Sequence, residues 1–130
     1  MNTVILNGHV GKDIYYGGDI DMKGQVVCKF YVATSNPTLE ETSLVPCVCL
    51  DWLAQRCYAG ISEGCYVEII GELVKRRGKS LFVNVQSMVY KKPKSKKQYT
   101  IRSTEFLQTY KPANIMKQLN DYAEKNNKGE

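Results

Sequence analysis

Residues 2–8 alternate apolar and polar side chains and carry β-branched Thr3, Val4 and Ile5, so they read as a half-buried strand. The alternation returns after Gly24. From Val26 to Thr34, Val26, Cys28, Phe30 and Val32 fall on one face, the expected core face, and Val27, Lys29, Tyr31 and Ala33 on the other. Between these strands Gly11, Gly17 and Gly18 punctuate a stretch with Asp13, Asp19 and Asp21, which reads as loop or hairpin. Asn36-Pro37 ends the second strand, and Leu44–Leu50 reads as a third in which Pro46 marks an edge or a bulge. Asp51 then stands where it would cap a short helix over Trp52–Ala59, with Gly60 ending it, Leu53 and Cys57 facing inward and Trp52 anchoring it on the sheet. Cys65–Val74 and Ser80–Met88 are two more strands, joined by the basic turn Lys75-Arg76-Arg77-Gly78-Lys79.

Five strands with a helix after the third predict an all-β fold, a five-stranded OB-fold Greek-key barrel. A chain of 130 residues accommodates one such domain, expected over residues 1–90. Beyond Tyr90 the run Lys91-Lys92-Pro93-Lys94-Ser95-Lys96-Lys97 contributes nothing to a core, so residues 91–103 read as a basic linker. Residues 104–130 read as a partly helical C-terminal extension, since Ile115, Leu119 and Tyr122 follow helical spacing after Pro112.

Charge is segregated along the chain. Residues 1–74 hold four basic and nine acidic side chains, a net of −5, whereas residues 75–102 hold ten basic and no acidic ones. Such a block is either a footprint for a polyanion or a solvated, solubilising segment. No apolar run approaches the ~20 residues that span a bilayer, and no signal-peptide pattern precedes the first strand. The expectation is a cytoplasmic protein without a membrane partner.

Cys28, Cys47, Cys49, Cys57 and Cys65 are odd in number and are expected as free, packed thiols. Cys47 and Cys49 followed by steps of eight match no usual zinc spacing, and no metal or other cofactor is expected. Asp13, Asp19 and Asp21 lack the closing glutamate spacing of a calcium loop. The chain has no phosphate-cradling glycine motif, no metal-binding helix pair and no nucleophile elbow, so no catalytic residue and no small-molecule substrate are nominated.

Several stretches together resemble the bacterial and phage single-stranded DNA-binding proteins. They are Asn2-x-Val4-x-Leu6-x-Gly8-x-Val10-x-x-Asp13, Gly24-x-x-Val27-x-x-Phe30-x-Val32-Ala33-Thr34, Val48-x-Leu50-x-x-Leu53-Ala54-Gln55, Gly64, and Val67-x-Ile69-x-Gly71-x-Leu73. The resemblance spans the first ~90 residues and implies an OB-fold that holds single-stranded DNA without reading sequence. It also implies a homo-oligomer, a tetramer or a dimer, acting in DNA replication, recombination or repair close to the nucleoid. Where the family usually carries tryptophan or phenylalanine, this chain has Leu44, Leu50 and Gly78. His9, Ile14 and Glu63 replace a usual arginine or asparagine, proline and lysine. The family's acidic, hydrophobic tip has no counterpart in Asn127-Lys128-Gly129-Glu130, so its recruiting role is not carried over.

Gripping single strands requires cations for phosphates and π faces for bases. Lys29 and Tyr31 share the outward face of the second strand, and Phe82 points opposite to Leu81 and Val83, so Tyr31 and Phe82 are the nominated stacking residues. Their alternative role is packing against a subunit or the C-terminal helix. Tyr15 and Tyr16, beside Lys12, either stack or clamp a turn. Lys75, Arg76, Arg77 and Lys79 lie on the hairpin that OB-folds use as one wall of the groove, with a solvated turn as the alternative. Lys91, Lys92, Lys94, Lys96 and Lys97 would extend the same track, and His9 reads as a solvated loop residue. The competing functional reading is an OB-fold protein–protein adaptor with little nucleic-acid affinity; RNA in place of DNA also fits a stacking groove.

Overall fold

The computed structural model describes residues 1–103 and Phe106, with Asp21 by its backbone alone. The elements are β1 (Val4–Val10), β2 (Tyr15–Asp19), a 3₁₀ turn (Ile20–Met22), β3 (Gln25–Asn36), β4 (Glu41–Leu50), α1 (Asp51–Gly60), β5 (Tyr66–Val74), β6 (Phe82–Lys91) and β7 (Gln98–Arg102). Strand β1 pairs antiparallel with both β3 and β5, β5 with β6 and β3 with β4. A short parallel contact of Cys47 and Val48 with Val83 and Asn84 closes the ring. This closed five-stranded barrel, with its helix between β4 and β5, is the expected OB-fold.

Two strands are additional. β2 forms a hairpin with β3 where a glycine-rich loop or hairpin was expected, and β7 pairs with Ser87–Lys91 of β6. The stretch read as a linker is therefore a turn and a strand laid back on the barrel, with Tyr99 and Ile101 packed against the core. The predicted C-terminal helix around Ile115, Leu119 and Tyr122 lies outside the described residues. Among the described residues no helix is long and apolar enough to cross a membrane.

The alternation in β3 fills the barrel as anticipated: Cys28, Phe30 and Val32 are buried, facing Cys49, Cys47 and Val45 across β4. All five cysteines are buried free thiols. Burial pushes the Cys47 thiol up to about 12, and the neighbouring Cys57 and Cys28 thiols, which share a hydrogen bond, are both raised as well. They pack as small apolar groups.

Glycines of the opening and fourth-strand patterns have a steric role. A Cβ on Gly8 would lie 2.2 Å from the Ala33 carbonyl oxygen, and one on Gly71 2.3 Å from that of Asn84. Neighbouring backbone fills the space that a side chain would need. Gly71 also borders a register shift in the β5–β6 pairing. The Asn2 amide donates to the Leu73 carbonyl and accepts from the Leu73 N–H at 2.7 and 2.9 Å, continuing the β1–β5 pairing by side chain.

The helix start differs from expectation. Leu50 occupies the N-cap position with no side-chain cap, and Asp51, at φ 53°, accepts a hydrogen bond from the Gln25 amide at 2.9 Å. Leu53, Ala54 and Cys57 anchor α1, whereas Trp52 stays half exposed beneath the Arg56 guanidinium. Gly60 ends the helix against Tyr90, whose hydroxyl would lie 2.0 Å from an added Cβ.

Candidate nucleic-acid interface

The outer face of the β2–β3–β4–β6 surface follows from register. Tyr15, Lys29 and Val48 are successive cross-strand partners, as are Tyr31 with Pro46 and Ala33 with Leu44. Lys29 and Tyr31 therefore share a face, as the spacing predicts. Pro46 is tolerated because β6 joins β4 only from Cys47 onward.

On this face lies a groove enclosing about 170 Å³. Its floor is Met22, Pro46, Val48 and Phe82, and its rim carries Lys29 on one side and Arg76 and Lys79 on the other. Four nominated residues, Lys29, Arg76, Lys79 and Phe82, thus converge although they are distant in sequence. Tyr31 stands 45% exposed beside them, next to Pro46. Lys12 is exposed one residue after Gly11, whose N–H donates to the Tyr31 carbonyl at 2.8 Å.

Three nominations change on the structure. Phe82 is half-buried and not openly exposed, because Met22, Val27, Val48 and Leu50 form a small cluster against it on the outside of the barrel. The 3₁₀ turn folds Met22 over this surface, which also buries the outward-facing Val27. Tyr16 points away from Tyr15 and stacks on Tyr58 of α1, centroids 4.6 Å apart at 13°. It joins β2 to the helix and does not line the groove. Lys75 directs its ammonium to the Lys79 carbonyl across the turn, while Arg77 is exposed at the tip.

Tyr15 takes the clamping role that the sequence allowed. Its hydroxyl donates to the Gly18 carbonyl at 2.9 Å, clamping the hairpin, and its ring lies 5.9 Å from the Lys29 ammonium. Lys29 is also ion-paired with Asp19, a groove residue whose surrounding glycines mark it in the sequence only as part of a loop or hairpin. Leu44, 65% exposed on the same face, offers apolar area without a π system.

The lysine run does not continue this track. The β5–β6 turn with Lys75, Arg76, Arg77 and Lys79 precedes Phe82, and Lys91–Lys97 follows the far end of the same strand. Ten residues of β6 separate the two basic groups by about 30 Å. The second group borders a separate cavity with His9, whose ring meets Tyr66 edge-on at 5.6 Å. His9 is consequently a strand residue paired with Ala33 and Tyr66, not a loop residue.

No protein-family model matches the chain, and no curated protein matches it in sequence. Solved structures do match. The dimeric N-terminal domain of PriB from Thermoanaerobacter tencongensis is 21% identical, covers 70% of this chain and 97% of its own, and superposes with a TM-score of 0.54. The SSB domain of a Synechococcus protein is 18% identical over 68% of this chain and 93% of its own, TM-score 0.58. The second single-stranded DNA-binding protein of Mycobacterium smegmatis is 21% identical over 67% and 85%, TM-score 0.56. This chain has the fold of those domains. In this chain the groove described above lies between the β5–β6 turn and the β2–β3 hairpin.

Proposed function

We propose that this protein binds single-stranded DNA without sequence preference, in replication, recombination or repair. The observation that carries the reading is the groove itself: an apolar floor with Phe82, a neighbouring exposed Tyr31, and a rim of Lys29, Arg76 and Lys79. Bases lie on the floor and rings, and phosphates meet the rim. Arg76 offers a planar fork for two phosphate oxygens. Nothing in this arrangement selects one base over another, since stacking accepts any π face.

Oligomerisation belongs to the same proposal. Among the described residues Val4–Gly8 of β1 pair with β5 alone, and β3 reaches β1 only at His9 and Val10, which leaves one edge of β1 for a second copy. Ile5 on this strand is 79% exposed. Strand addition there yields a homodimer, which can pair again as a tetramer.

Titration of labelled oligothymidine across a salt series tests the reading. Affinity should fall linearly with log salt, with a slope of about −0.7 per phosphate contacted. Absence of binding at low salt would refute it in favour of the protein–protein adaptor. Equal-sequence RNA run in parallel reports whether the sugar matters.

A further inference from the structure

We infer that the β6–β7 turn forms a second nucleic-acid contact at the opposite end of the barrel, taking the phosphates of a strand that has already left the groove. The inference rests on the single-stranded nucleic-acid reading of that groove. His9, Tyr66, Lys91, Lys92, Lys94 and Lys96 line a cavity of about 430 Å³ that shares no residue with the groove. Lys92, Lys94 and Lys96 are exposed, and the turn is ordered by the Ser95 N–H donating to the Lys92 carbonyl at 3.1 Å and the Lys97 N–H to the Ser95 hydroxyl at 3.2 Å.

A lysine-rich turn alone would be only a solvated surface. Here it is built on rings. Tyr99 of β7 stacks on Tyr90, centroids 5.1 Å apart, and the ammoniums of Lys97 and Lys92 lie 5.1 and 5.9 Å from the Tyr99 ring. Tyr66 and His9 supply two more rings at the cavity wall. Tyr90 and Tyr99 pack on the core and hold the turn in place, while exposed His9 and part-exposed Tyr66 beside the lysines fit a single strand better than an acidic peptide, which would leave these two rings unused.

The spacing is consistent with one ligand spanning both places. Counted at the stacked duplex rise of about 3.4 Å, which an unstacked strand exceeds, the ~30 Å length of β6 corresponds to at most about nine nucleotides, no more than the 4–16 that one OB-fold engages. Nine of the ten basic side chains in residues 75–102, all but Arg102, are thereby divided between two contacts on one path.

The test is the salt dependence of binding to an oligothymidine of about 30 nucleotides, comparing the wild type with the K92Q/K94Q/K96Q triple variant. All three lysines are exposed, and equal thermal unfolding of the two proteins verifies that the barrel is intact. The variant should bind more weakly, with a log–log salt slope shallower by about 2. An unchanged slope overturns the second contact and leaves the groove reading standing. Failure of the wild type to bind at low salt overturns both. A variant that keeps its slope yet loses affinity for a polyglutamate peptide assigns the turn to an acidic protein partner and also overturns the inference.

Discussion

The Lys29 ammonium is ion-paired with the Asp19 carboxylate at the rim of the groove, so the cation that β3 offers to a phosphate is already partly neutralised from within the chain. Asp19 has little exposed surface while Lys29 keeps 44% of its side chain in solvent. An incoming phosphate must therefore compete with Asp19. Asp19→Asn should free this competition and tighten oligothymidine binding about fivefold at 0.1 M salt, the value of one added phosphate contact. Fluorescence titration checks it; weaker binding by a normally folded variant contradicts this role for Asp19.

Tyr31 and Phe82 should separate in their effects. Tyr31 is 45% exposed and outside the barrel core, so Tyr31→Ala should cost about 1–3 kcal/mol of binding with stability and salt slope nearly unchanged. Phe82 also packs on Met22, Val27, Val48 and Leu50, so Phe82→Ala should weaken binding and additionally destabilise by roughly 2 kcal/mol, short of the 3–5 of a fully buried phenylalanine. Urea denaturation beside the titration distinguishes the two.

These residues show how far the chain could be read in advance. The inward set of β3 was legible because period-two alternation and burial are the same fact at Cys28, Phe30 and Val32. The covering of Phe82 was not, since it depends on Met22 arriving from a turn 60 residues earlier. β7 was hidden because lysine composition in residues 91–97 masked the alternation of Tyr99 and Ile101 that follows. The two basic groups are not one continuous patch for a geometric reason: a strand carries its two ends apart, so adjacency of charge in sequence became separation in space. At Asp51 a residue suited to capping was taken up by Gln25, a partner from another strand.

Gly71→Ala should destabilise the barrel by about 1–3 kcal/mol, because its Cβ would meet the Asn84 backbone and the Val83 side chain, neither of which can yield without shifting β6. Gly78→Ala at the basic turn meets no atom within 4 Å, but its φ of 72° makes the substitution strained, so a milder loss is expected there. Chemical denaturation ranks the two; equal stability of the Gly71 variant and wild type would contradict the close β5–β6 approach.

Stability should fall in alkaline solution under reducing conditions. Thiol pKa values are raised in the folded state, so below about pH 9 the thiols are protonated in folded and unfolded chains alike and cost nothing. Between about pH 9 and about 12 the unfolded chain releases the Cys47 proton while the folded chain holds it, removing ~1.4 kcal/mol per pH unit. Cys28 and Cys57 act in the same direction. Denaturant midpoints at pH 8 and pH 10 should therefore differ more for the wild type than for Cys47→Ala.

The most direct measurement is photocrosslinking of an iodouridine-substituted single strand followed by peptide mapping. Adducts are expected on Tyr31, with Phe82 or Tyr15 also marked, and their loss when unlabelled single strand competes. Efficient crosslinking confined to residues outside the face between the β2–β3 hairpin and the β5–β6 turn would contradict it.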